Sequence, residues 1–149
     1  MDALFTESEA ITRTATILQH IQTDYFSLIL RELEPGILRV EWEEALENYH
    51  IQKHEIDCAK KAIKNYTLKN GPVLLLIKTF DGIMVDPEVQ KVLQNKEVFD
   101  GINAVAIELQ STTNRISLNL SAQFSRNRIP IRAFTSESNA LQWLKKKFV

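Results

Sequence analysis

Helices and strands that alternate after an antiparallel hairpin predict an α/β chain. The expected sheet is mixed and five-stranded, its first two strands a hairpin and its last three parallel. About four helices cover it, and an N-terminal helix precedes it. Three observations carry this prediction. Two runs of period two flank Pro35-Gly36. An unbroken apolar run, Val73 to Ile77, follows a helix-stop signal at Asn70-Gly71. The end of the chain, from Ile129 to Val149, reads as a short buried strand, a capped turn and an amphipathic helix.

Residues 1–21 read as an N-terminal extension and residues 22–149 as one domain. Within the extension, Ile11, Ala15 and Leu18 recur at helical spacing and predict a helix over 7–18 with a narrow apolar stripe. Phe26, Leu28 and Leu30 then alternate with Ser27, Ile29 and Arg31. Pro35 presets φ at the second position of a turn and Gly36 accepts positive φ at the third. Leu38, Val40 and Trp42 alternate with Arg39, Glu41 and Glu43, so the hairpin is expected to keep one wet face.

Ile56, Ala59, Ile63 and Tyr66 step by three and four, which predicts a helix from about Gln52 to Asn70. Gly71 closes it in the left-handed conformation. Val73 to Ile77 lacks alternation, as a strand covered on both faces does. Asp86-Pro87-Glu88 opens a further helix with a cap, a proline at the first turn and an acid at the positive end of the dipole. A strand over Ile102 to Leu109 follows, then a helix after Ser111-Thr112-Thr113 carrying Ile116, Leu120 and Phe124. Pro130 leads the last strand, Ile131 to Phe134, and Thr135 or Ser136 caps a final helix with Ala140, Leu141, Leu144 and Phe148 inward.

Eighteen Lys plus Arg balance nineteen Asp plus Glu, which argues against a nucleic-acid backbone binder. The Lys145 to Lys147 run suits the negative end of the last helix without a partner. A single cysteine, Cys58, excludes an internal disulfide, and with no signal-peptide pattern a cytoplasmic location is expected. The longest apolar run has five residues, far short of the roughly twenty that span a bilayer.

At this point a resemblance becomes specific. Gly36-Ile37-Leu38, Gly71-Pro72-Val73-Leu74 and Ala104-Val105-Ala106 resemble strand starts and strand cores of the SpoIIAA-like branch of STAS domains. That branch shares its α/β outline with Sec14-type lipid-binding domains. Pro130, Phe134-Thr135, Glu137, Ala140 and Trp143-Leu144 resemble its C-terminal segment. The likeness spans roughly residues 22–148. It implies a non-enzymatic domain: some members antagonise anti-sigma factors, and others are attached to transporters or sensors. Regulated members carry a phosphorylatable Ser at the helix after the third of five strands. The stretch Lys78 to Pro87 has no Ser there and places Asp86 at the cap, so no phosphorylation site is carried over.

Candidate chemistry is sparse. His50, His54 and Cys58 stand four apart, a spacing that lines one helical stripe with soft-metal ligands. His50, however, precedes the predicted helix, and Cys58 borders the apolar face, where it reads as a small core residue. No metal site and no cofactor are expected. Ser111, Thr112, Asn114 and Arg115 lie between a strand end and a helix start, where backbone N–H groups meet anions. Lys78, Thr79 and Asp81 end the neighbouring strand and line the same crevice, which makes these seven residues the candidate ligand or anion site. The plainer account is ordinary capping hydroxyls beside an exposed arginine. Four glycines with no two close together form no phosphate cradle, and no nucleophile or carboxylate pair is assembled, so no catalytic residue is expected.

Two functions of different class follow. The leading expectation is a small binding or regulatory module of STAS-like fold acting through protein contacts. The stripe of the N-terminal helix, if covered by a second copy, makes a homodimer an option to test. The alternative is a carrier of a small apolar or lipid-like ligand, by analogy with Sec14-type domains, which requires a chamber beneath the helices.

Overall fold

The structure, a computed structural model, describes residues 16–22, 27–42, 53–78, 91, 100–109 and 129–148. Their elements are β1 (Thr16–Gln22), β2 (Ser27–Glu34), β3 (Ile37–Trp42), α1 (Lys53–Asn70), β4 (Val73–Lys78), β5 (Ile102–Glu108), β6 (Ile131–Phe134) and α2 (Glu137–Phe148). The six strands form one sheet in sequential order. β2 pairs antiparallel with β1 on one side and β3 on the other, and β3 to β6 run parallel.

The hairpin and the three parallel strands stand where the sequence predicts them. The N-terminal prediction needs correction. Thr16, Ile17 and Leu18 are not helical but lie in β1, so the sheet has six strands rather than five. The stripe of Ile11, Ala15 and Leu18 therefore loses Leu18, and residues assigned to an extension belong to the sheet. The physical reason is pairing: β1 meets β2 from Thr16↔Glu32 to Gln22↔Ser27, and such long-range bonds override a weak local period. Residues 7–15 lie outside the described residues. So do the helix expected from Ser111 and most of the helix expected from Asp86, although Lys91 is helical. Two of the roughly four expected helices are thus described.

Local chemistry sets each boundary. Gly36 turns the β2–β3 hairpin with φ 88°, and Gly71 ends α1 with φ 85° while its N–H bonds the Thr67 carbonyl at 2.8 Å. Of the two candidate caps of α2, Ser136 is the one used: its Oγ accepts the Asn139 N–H at 3.2 Å. Phe134 and Trp143 meet with ring centroids 5.7 Å apart, which closes the edge of α2 over β6.

Helices cover both faces of the sheet. Against α1 lie Leu28, Leu30, Leu38, Val40, Trp42, Val73, Leu75, Val105 and Ile107, with Ile56, Ala59, Ala62 and Ile63 from the helix. Against α2 lie Leu33, Ile37, Leu74, Leu76, Ala104 and Ala106, with Ala140, Leu141 and Leu144 from the helix. β4 is buried on both faces, as its unbroken apolar run predicts. The hairpin does not keep a wet face: Ile29, Leu33, Ile37 and Arg39 are all buried on the side that alternation assigns to solvent. Alternation reports which side chains share a face, and the distant α2 decides that this face is covered.

Tyr66 pins α1 to the hairpin turn. Its hydroxyl donates to Glu32 Oε2 at 2.6 Å and accepts the Gly36 N–H at 3.3 Å. Burial, then the bond to Glu32, raises its pKa. Because the folded state holds the phenol proton longer than the unfolded chain, stability from Tyr66 is full below the ordinary tyrosine range. It is lost as pH rises through and above that range. Tyr66→Phe is expected to cost about 1–2 kcal/mol near neutrality and to flatten the alkaline limb of the urea midpoint against pH. An alkaline limb of unchanged slope would assign that limb to another group.

Candidate functional site

At the carboxyl ends of the parallel strands three charged residues stand in register across adjacent strands. Glu41 of β3 pairs with Lys78 of β4, and Lys78 with Glu108 of β5. Residues in register in a parallel sheet point to one face, so the row reads minus, plus, minus. Arg39 lies two residues before Glu41 on that same face and is fully buried, as is Glu108 at 6% exposure. This is the face that α2 covers.

The first residue of α2 completes the cluster. Glu137 Oε1 accepts from Arg39 Nη1 at 2.5 Å, and its Oε2 lies 3.7 Å from Lys78 Nζ. Arg39 Nη2 lies 3.4 Å from Glu41 Oε2. One carboxylate thus bridges two cations on neighbouring strands, at the helix end where the dipole favours negative charge. Arg39 also sits directly opposite Arg31 of β2, a like-charge pairing that raises the need for carboxylates around it. Burial pushes the Glu108 carboxyl above the usual carboxylate range. Glu137 and Glu41 add to the rise, and Lys78 and Arg39 oppose it.

The other face has a matching device. Glu55, in the first turn of α1 and fully buried, accepts the Trp42 indole N–H at 2.6 Å. Trp42, on the apolar side of the hairpin, thus also satisfies a buried carboxylate.

Of the seven residues of the predicted ligand site, Lys78 is described, and it belongs to the ion row. Thr79, Asp81, Ser111, Thr112, Asn114 and Arg115 lie outside the described residues. The sequential strand order contains no reversal, the topological feature that opens a crevice at strand ends in doubly wound sheets. On α1, His54 Nε2 lies 3.7 Å from Cys58 Sγ, and His50 is outside the described residues. Arg39, Glu41, Glu108 and Glu55 were not singled out by the sequence. One signal is available: Glu108 interrupts an apolar run between Ile107 and Leu109 in a predicted strand.

A domain-family model described as a domain of unknown function, DUF7793, matches residues 32–147. The chain belongs to the DUF7793 family. It also resembles a solved structure, an uncharacterized protein of the DUF3478 family with a SpoIIAA-like fold from Shewanella loihica PV-4. The two are 12% identical with a TM-score of 0.51, over 87% of this chain and 94% of that one. This chain therefore has a SpoIIAA-like fold. Curated proteins give no match.

The ion row makes two quantitative predictions. Arg39→Met takes the buried guanidinium away from the part-buried Glu41 and Glu137 and is expected to cost about 2–3 kcal/mol. Adding Glu137→Gln should restore part of that loss, and additive costs in a double-mutant cycle would show the pair uncoupled. Glu108 holds its proton in the folded state where the unfolded chain has released it. Its contribution is therefore full below the ordinary carboxylate range and declines as pH rises through that range to the raised folded value. Glu108→Gln should flatten this decline and gain on the wild type near neutrality. Urea midpoints between about pH 4 and pH 8 measure it, and parallel profiles would contradict the assignment.

Proposed function

We propose that this DUF7793 domain is a non-enzymatic binding or regulatory module that works through protein–protein contacts. The observation that carries the reading is the use made of the strand ends. In open α/β sheets reactive and ligand-binding groups sit beyond the carboxyl ends of parallel strands. Here Arg39 and Lys78 are engaged by Glu41 and Glu137 beneath α2, and Glu108 is buried in register with Lys78. These groups hold a helix in place, and a module of this kind acts with its outer surface. The SpoIIAA-like fold agrees with that role without specifying it.

The carrier alternative requires a chamber between helix and sheet. Where α2 is described, Leu76, Ala104, Ala106, Ala140 and Leu144 are fully buried against one another. No described helix is long and apolar enough to cross a membrane.

Two measurements test the proposal. Affinity capture from a lysate of the source organism, followed by reconstitution from purified components, should yield a binary complex; no reconstituted partner would sink the module reading. Native mass spectrometry of the purified protein should give the bare chain mass, whereas a stoichiometric apolar adduct would support the carrier.

A further inference from the structure

At the opposite, amino-terminal end of the sheet lies a groove of about 440 Å³, between the second half of α1 and the turn before β5. Ile63 and Ile102, both buried, form its apolar floor, and Leu68, 75% exposed, stands at its lip. Lys60 and Lys64 are one helical turn apart on its wall, and Asp100 lies in the facing turn. Thr67 reaches the turn because Gly101 has no side chain: a Cβ there would come within 3.1 Å of Thr67 Oγ1. The close seating of α1 on Gly101 therefore builds one end of the groove into the fold.

We infer that this groove docks an acidic, amphipathic segment of a partner protein, apolar side chains on Ile63, Ile102 and Leu68 and carboxylates on Lys60 and Lys64. The inference rests on the protein-binding reading above and names its partner's chemistry.

Charge distribution supplies the argument. The whole chain carries a net charge of −1, yet α1 holds five lysines against two acids. One of those acids, Glu55, is turned inward onto Trp42. Lys60 and Lys64 are like charges at i and i+4, an arrangement that weakens a helix unless something outside it is neutralised. Among the described residues neither makes an ion pair. A nucleic acid would meet the lysines but would place phosphates against Asp100 and leave Leu68 and the isoleucine floor without an apolar partner. An acidic peptide uses all of these groups: carboxylates for the lysines, side chains for the floor and backbone N–H groups for Asp100.

Fluorescence anisotropy with a labelled peptide of repeating Leu-Glu-Glu-Leu tests the inference, beside its Gln-for-Glu and Lys-for-Glu counterparts. The acidic peptide should bind, and more weakly as salt rises past roughly 0.15 M. Lys60→Glu/Lys64→Glu and, separately, Leu68→Asp should each weaken it about tenfold. Lys146→Glu on α2 should leave it unchanged. Circular dichroism confirms that the variants fold.

Equal binding of the Gln peptide, no loss in the double variant, or no binding of the acidic peptide overturns the inference. Tighter binding of a single-stranded oligonucleotide, lost in the double variant, overturns it in favour of nucleic acid. Affinity capture with wild type and double variant separates the two levels. A partner reconstituted equally with both leaves the module reading standing and removes the groove. No partner with either removes the module reading itself.

Discussion

The structure depends on one constraint: each described helix brings a first-turn glutamate inward, and β3 must satisfy both. Glu55 of α1 meets Trp42 on one face, and Glu137 of α2 meets Arg39 on the other. Trp42 and Arg39 are three residues apart on one strand, so their side chains project to opposite sides. A carboxylate at a helix N-terminus is already favoured by the dipole. Once buried, it also needs a donor at a fixed place, and that place sets where the helix starts over the sheet.

The other ends of the helices are fixed to the same hairpin. Tyr66, near the end of α1, reaches Glu32 and Gly36. Lys145, near the end of α2, lies 3.3 Å from Glu34. The β2–β3 hairpin is therefore a frame to which both helices are held at both ends, from opposite faces. Apolar burial supplies most of the stabilisation, but it is tolerant of sliding because it is non-directional. Hydrogen-bonded charges are not tolerant, since a displaced Arg39 or Glu55 would be buried without its partner. The polar contacts thus select one placement among those the apolar faces allow.

How much of this was legible follows from range. The Pro35-Gly36 turn, the stop at Gly71 and the apolar β4 are local, and the sequence displays them directly. Residues 16–18 carry only the end of a three-residue helical stripe, while their strand identity comes from pairing with residues 30–32. Alternation places Arg39 on the face opposite Leu38 and Val40 without saying what lies above that face. Its partner Glu137 is 98 residues away. Glu137 was visible as part of the C-terminal likeness, but its role needed the register that aligns Glu41, Lys78 and Glu108 beneath it. The groove was illegible for the same reason: Lys60, Lys64 and Leu68 look like a solvated helix face until the Asp100–Ile102 turn is set beside them.

The two ends of the sheet differ in what they leave for function. At the carboxyl ends, Arg39 and Lys78 are engaged by Glu41 and Glu137 under α2, and burial beside them pushes Glu108 toward its neutral form. Charge placed there is committed to holding the helix. At the amino ends the balance reverses. There Lys60 and Lys64 stand over an apolar floor, and one of the two acids of α1, Glu55, is turned onto Trp42. Turning Glu55 inward both fixes α1 on the sheet and leaves its outer surface basic. The interaction that positions the helix is thereby also the one that gives its exposed face a charge for a partner to match.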